Sequence, residues 1–469
     1  MRHGNDYRQF MHWTHEQGVP YVLGMPPADT GAAAIRAGAS TPVSPQSYSS
    51  ETADADAAKL HPGSRGYRRM SFALFSAGVA TFALLYSTQA LLPALSGDLG
   101  TTPGQASWTV SAATLGLAVA VLPLSALSER FGRQTLMTAG LCVATALALL
   151  MPLAPGVGAL VALRAVQGVA LACVPASAMA YLSEEVRPKA LVGAIGLFVA
   201  GNSLGGMSGR IVTGWVSQAW GWRAGLAAVA AMAVLCTVAY RLLVPRARHF
   251  AATRVSPRTL AHTVAEHLRD PLLRRLYAIG GLFMTVFGAV YTVIGYRLVG
   301  EPFNLPQGVV GSIFLVYLVG TFSSAAAGRL VARLGRRGAL YAAVTTTAAG
   351  LLLSLSDALP AILAGLVLIT AGFFAGHAVA SSSVSRAAKE ARAQASALYQ
   401  SAYYVGSSVG GTVGALAFHA GGWPATVLLG LLAVLGAAGI TVYATRKALA
   451  ERRARAAHPS SCATAAARA

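Results

Sequence analysis

Two arginines stand where a charged side chain is costly. Arg164 and Arg210 each lie inside a long apolar run, and a cation at that depth needs a wet cavity or a polar partner. Gln167 follows Arg164 by one helical step, on the same face. Asn202 and Arg210 belong to one glycine-rich run. The chemistry such residues offer is recognition of an anionic or polyhydroxylated solute. Two blander readings stay open: Arg164 can snorkel from a helix end, and Arg210 can bind backbone carbonyls. Further polar candidates are scattered through the apolar segments. Phe82, Tyr86, Gln89 and Pro93 fall on one face of a continuous helix. Tyr291 and Tyr296 lie in a later segment, and Tyr399, Gln400, Tyr403 and Tyr404 open another. His377 can titrate near neutral pH or can be a structural histidine. The candidate solute cavity is therefore Tyr86, Gln89, Arg164, Gln167, Asn202, Arg210, Tyr291, His377 and Tyr403.

What is missing narrows the chemistry. There is no Gly-x-x-x-x-Gly-Lys-Ser/Thr phosphate loop, no His/Cys ligand cluster and no spaced nucleophile and base. Neither an enzyme, a metal nor a cofactor is expected. No Asp or Glu occupies the middle of an apolar run. Proton coupling would have to use Asp98, His377 or the Glu129 cluster, or else is absent.

The elements that must hold these residues are written in the composition. Of 469 residues, 55% are hydrophobic and 11% charged, well below the share of about a quarter usual in soluble chains. From Ser71 onward, apolar segments of about twenty residues recur, the length that crosses hydrocarbon. They fall at 71–95, 107–128, 135–154, 158–182, 191–216, 224–244, 276–299, 309–331, 339–357, 359–384, 395–418 and 423–444. Each must be a helix, because lipid offers no partner to a bare backbone. The fold class is all-α: a membrane protein of twelve transmembrane helices. Cys142, Cys173 and Cys236 lie in apolar runs and suggest no disulfide framework.

The net charge of +20 would suit a nucleic-acid partner, but its placement argues otherwise. Arg130 and Arg133, Arg187 and Lys189, Arg333 and Arg336, Arg386 and Lys389, the linker arginines and Arg446 and Lys447 all fall on one side of twelve spans. That is the positive-inside pattern. No nucleic acid is expected, and both termini are expected in the cytoplasm. Residues 1–69 read as a disordered tail, or as the product of a start placed upstream of Met25 or Met70. The remaining divisions are a bundle at 71–244, a linker at 245–275, a bundle at 276–444 and a tail at 445–469.

The two bundles repeat each other. Gly201-Asn202-Ser203-Leu204-Gly205-Gly206-Met207-Ser208-Gly209 matches Gly406-Ser407-Ser408-Val409-Gly410-Gly411-Thr412-Val413-Gly414, and Gly221-Trp222 matches Gly422-Trp423. Arg130-Phe131-Gly132-Arg133 matches Arg333-Leu334-Gly335-Arg336 about 200 residues later. Six helices per half make the repeats parallel, about an axis along the membrane normal, with a cleft between them. Gly132 and Gly335 permit tight turns with positive φ. Glu129 and the arginines of both turns, Arg130, Arg133, Arg333 and Arg336, can then pair across the halves.

These motifs resemble a twelve-helix major facilitator superfamily transporter, in its drug:proton antiporter and arabinose-efflux-permease-like branch. The resemblance spans about residues 71–445. It rests on Ser125-Ala126-Leu127-Ser128-Glu129-Arg130-Phe131-Gly132-Arg133-Gln134 and its second copy from Gly328 to Arg337. It also rests on Arg164-Ala165-Val166-Gln167-Gly168 and on the glycine ladder Gly193, Gly201, Gly205, Gly209. Gly206 replaces the antiporter motif's proline, Arg210 its last glycine, and Ala332 the acid of the second turn. The resemblance implies a gate latch at Glu129, Arg130, Gly132, Arg133, Arg333, Gly335 and Arg336. It implies proton-linked export of a small organic solute by a monomer in a bacterial inner membrane. Rival expectations are a uniporter or importer, a transport-dead sensor and a lipid-processing enzyme.

Overall fold

The computed structural model describes residues 59–250, 252 and 256–457. Expectations for the outer parts of both tails lie outside these residues. Among the described residues there are nine helical segments long and apolar enough to cross a membrane. Three of them contain a glycine with non-helical backbone and fold back on themselves there. Twelve spans result. In chain order they are α1 (Arg65–Leu99), α2 (Pro103–Phe131), α3 (Arg133–Leu153) and α4 (Val157–Glu185). Pro188–Leu243 divides at Gly221 into α5 (188–220) and α6 (222–243), and α7 is Pro271–Val299. Gln307–Leu353 divides at Gly335 into α8 (307–334) and α9 (336–353), and α10 is Leu359–Ala387. Arg392–Glu451 divides at Gly421 and Gly422 into α11 (392–420) and α12 (423–451).

The turns recur at the repeat-related positions the sequence marked. Gly132 has φ 96° and Gly335 φ 69°, values that only glycine adopts without strain. Helix pairing repeats as well. Gly201, Gly205 and Gly209 of α5 lie against the backbone of Phe75, Val79 and Ala83 in α1, while Gly406, Gly410 and Gly414 of α11 lie against Gly281, Thr285 and Ala289 in α7. A side chain at any of these positions would collide with that neighbouring backbone. Lipid provides no hydrophobic drive between helices, so such close backbone contact carries the association. The chain is an all-α membrane protein of two parallel six-helix halves.

Two expectations change. The flank at Arg65, Arg68 and Arg69 is already helix and begins α1, with Leu60 bridged to Val186. Helix 1 is not continuous. It stops at Leu85, and a turn, a 3-10 segment at Gln89–Leu91 and a short helix at Leu92–Leu99 follow. The linker also contains a helix, Pro257–Arg269, which its charge-rich sequence does not signal as a span.

The two halves meet at the face opposite the arginine-rich turns. There α2 and α11 join through Ser111, whose hydroxyl donates to Ser408 O at 3.1 Å and accepts from Thr412 at 2.9 Å. Pro93 of α1 lies beside Gly295 of α7, and the Tyr296 hydroxyl reaches Leu92 O at 3.0 Å and Ser96 Oγ at 2.7 Å. Between α5 and α8, Gly214 and Gly311 touch backbone to backbone, flanked by Trp215 donating to Ser312 at 2.9 Å and by Gly308 N–H donating to Gln218 at 2.8 Å.

Candidate functional site

The break in α1 sets up the site. Ending the helix at Leu85 leaves carbonyls without helical donors. Arg164 of α4 supplies them. Its guanidinium donates to Leu84 O at 2.5 Å, to Leu85 O, to Thr109 O at 2.7 Å and to Gln167 Oε1 at 2.6 Å. Gln167 then donates to Ala144 O of α3 at 2.9 Å. Arg164 and Gln167 are both fully buried. The structure therefore places them inside the first half, tying α4 to α1, α2 and α3, and not on a cavity wall. The physical reason is the unwound turn, whose acceptors use the cation's donors.

Past the break, Tyr86 and Gln89 turn toward Arg210 of α5. Two guanidinium nitrogens donate to Gln89 Oε1, at 2.8 and 2.6 Å, and a third donates to Gly206 O. The guanidinium carbon lies 4.4 Å from the ring centre of Tyr86, 4.6 Å from Phe314 and 5.0 Å from Tyr317. Those contacts stabilise a desolvated cation, each by about 0.5–2 kcal/mol. Phe314 and Tyr317 belong to the second half, as does Thr292, which accepts from Gln89 Nε2 at 3.3 Å. Arg210 thus sits where α1, α5, α7 and α8 of both halves converge. Among the described residues, no carboxylate pairs with it.

From this cation an aromatic series runs into the second half. Tyr317 and Phe314 pack on Tyr291, whose hydroxyl shares a 2.5 Å hydrogen bond with Thr370. Phe287 links Tyr291 to Phe373, and Phe373 stacks on His377. His377 Nδ1 lies 3.0 Å from the Tyr399 hydroxyl, and its ring is 4.7 Å from that of Tyr403. Asn202 stands apart, at the α1–α5 contact beside Gly78. The structure thus gathers Tyr86, Gln89 and Arg210 directly. It connects Tyr291, His377 and Tyr403 to them through rings, and separates off Arg164, Gln167 and Asn202. Sequence reasoning missed Phe314, Tyr317 and Thr292. The available signal was the three-residue spacing of Phe314 and Tyr317 at the start of α8.

The expected latch at the basic face is not formed among the described residues. Arg133 pairs with Glu184 at 3.1 Å and with Glu129 at 3.9 Å, and donates to Ser128, all within its own half. Arg130 lies over Phe131. Arg333 lines one cavity of the second half, with Arg329, and Arg336 lines another. The halves meet at the opposite face, so here Arg133 takes its carboxylates from its own half, and Ala332 leaves the second turn without an acid to offer. Asp98 is also engaged structurally, accepting from Trp222 at 2.6 Å and Arg223 at 3.3 Å.

Comparison with known proteins agrees with this architecture. The family model described as Major Facilitator Superfamily matches residues 70–298 and 276–467. The chain is 37% identical over 387 residues to the uncharacterized MFS-type transporter YybF of Bacillus subtilis (strain 168), covering 82% of this chain and 96% of that one. It is 41% identical over 361 residues to the inner membrane transport protein YnfM of Escherichia coli (strain K12), covering 77% and 87%. Among solved structures, a bacterial homolog of the human lysosomal transporter Spinster, inward-facing and unoccupied, superposes with a TM-score of 0.64 at 13% identity, over 82% of this chain and 98% of that one. These relatives are transporters and not enzymes. With both halves matched and two-thirds or more of each curated relative covered, the chain belongs to the Major Facilitator Superfamily of membrane transporters.

Proposed function

We propose that this transporter moves a small organic anion by alternating access, with Arg210 as the cation that the solute engages. The observation that carries this reading is a buried guanidinium, 2% exposed, held by one neutral amide, one carbonyl and three rings. A charge so placed keeps its electrostatic demand unmet. A solute carboxylate entering from the arginine-rich face could compete for it by displacing Gln89 and the rings of Phe314 and Tyr317. The aromatic series behind it suits an apolar body on that solute. We further read the arginine-rich face as cytoplasmic, which makes the state described here inward-facing, in a bacterial inner membrane with both termini inside. The bundles at 71–244 and 276–444 and the linker at 245–275 are the moving parts of this scheme.

Export driven by proton entry is the direction we favour, and His377 with Tyr399 is the pair we assign to the proton. It is a titratable group at the far end of the aromatic series from Arg210, in spans that lack mid-membrane carboxylates. The test is flux in proteoliposomes against a panel of small aromatic and aliphatic carboxylates, matched polyols and matched amines, with and without a pH gradient. Carboxylate flux that accelerates with an acid exterior is expected. Flux of polyols or amines alone would reject the anion reading, and carboxylate flux indifferent to the gradient would reject coupling.

A further inference from the structure

The second half carries a cavity that the first half has filled. It measures about 810 Å³ and lies where α7, α9, α10 and α12 reach the basic face. Leu272, Leu276, Ile279, Leu340 and Ile440 form its apolar wall. Arg275, Arg336, Arg337 and Lys447 stand around it with only Asp270 and Glu451 in opposition. Asp270 is already committed, capping α7 by accepting from Leu272 N–H at 2.7 Å and Leu273 N–H at 3.2 Å.

The repeat explains why this space calls for an occupant. At the related place in the first half, Met70, Leu74, Met137 and Tyr240 are wholly buried. The chain itself closes that site. After α6 it folds back, so that Ala247 N–H donates to Gln134 at 3.1 Å and Arg248 and His249 N–H donate to Glu185 at 2.7 and 2.9 Å. Tyr181 donates to Pro245 O at 2.8 Å. In the second half, α12 instead continues as helix to Ala457, and the position matching Gln134 is Arg337. Leu276, Ile279 and Leu340 are largely buried by their neighbours, but Leu272 is exposed, no returning chain fills the space between them, and the rim is cationic.

We propose that this cavity is a binding site for an anionic phospholipid, its phosphate held by Arg336, Arg337 and Lys447 and its acyl chains laid along Leu276, Ile279, Leu340 and Ile440. The arrangement fits, because apolar residues within the spans pass into cations at the turn Gly335–Arg337 and toward the end of α12. Clustered basic residues between spans at that level attract anionic headgroups, and guanidinium groups match phosphate oxygens in paired hydrogen bonds. This site is separate from Arg210 and does not rest on the solute reading.

Native mass spectrometry of the full chain in detergent tests it, titrating phosphatidylglycerol, phosphatidylcholine of the same chains, and inorganic phosphate. Phosphatidylglycerol should be retained selectively. The double variant Arg337→Gln/Lys447→Gln should weaken that retention about twenty-five-fold, at about fivefold per cation, while eluting as the same monodisperse peak. If that variant does not fold, Lys447→Gln alone should still lower retention about fivefold. Equal retention of phosphatidylcholine would overturn the proposal. So would unchanged phosphatidylglycerol retention in a folded variant. Competition by inorganic phosphate at the lipid's own concentration would point to a free-anion site and overturn the lipid assignment.

Discussion

Arg210→Gln is expected to abolish anion flux while leaving a folded, membrane-inserted protein. Glutamine keeps a hydrogen-bonding head of shorter reach beside Gln89 but removes the charge. If the solute's carboxylate makes two charge-assisted bonds to the guanidinium, at about 1.5–3 kcal/mol each, losing even one such pair of interactions weakens binding by about a hundredfold or more. Folding should suffer little, because the variant no longer buries a cation. Arg210→Lys separates charge from geometry. It retains the charge without the planar fork, so an intermediate loss of about tenfold in half-saturating solute is expected. Initial rates in proteoliposomes, paired with thermal unfolding of the purified variants, decide the matter. A glutamine variant with normal flux would remove Arg210 from the solute path.

Arg164→Ala should fail in a different way. Its donors serve Leu84 O, Leu85 O, Thr109 O and Gln167 Oε1, all buried. Alanine leaves Leu85 O and Gln167 Oε1 unpaired, whereas Leu84 O keeps its bonds from Ser87 and Thr109 O its helical donor. At about 1 kcal/mol or more for each orphaned group, a stability loss of about 2 kcal/mol or more is expected. That is a large fraction of a total of about 5–15 kcal/mol. The expected signs are poor accumulation in the membrane and a lowered unfolding midpoint, with flux lost in proportion to folded protein. From the sequence alone, the same substitution reads as a loss of transport with expression intact. A stable Arg164→Ala protein with no flux would restore that reading.

The contrast between the two arginines marks how far the sequence reaches. Both read alike as lone cations in apolar runs. Only the break after Leu85 distinguishes them; Tyr86–Thr88 holds no proline or glycine, and Pro93, at the start of the short helix that follows, is its one local sign. The twelve spans and their repeat were legible because lipid forces length, helicity and glycine spacing into the primary structure. The turns at Gly132 and Gly335 were legible for the same reason. Contacts between the halves were not. Thr292, Phe314 and Tyr317 meet Arg210 through packing of distant helices, and no periodicity within one helix encodes that. The latch residues were recognisable by type, but whether Arg133 pairs across the cleft or with Glu184 depends on which face is open.

The central claim is that the halves close on one face while separating on the other. Gly214 offers the handle, because a side chain there meets Gly311 Cα at 3.0 Å, with backbone on both sides. The measurement is electron–electron spin distance in a background with Cys142, Cys173, Cys236 and Cys462 replaced by serine. One pair of labels sits at Lys189 and Lys389 on the basic face, the other at Pro155 and Ala358 on the opposite face. Introducing Gly214→Trp should lengthen the Pro155–Ala358 distance and shorten the Lys189–Lys389 distance in the same sample. Distances that stay fixed at both faces, or lengthen together, would contradict alternating access about this contact.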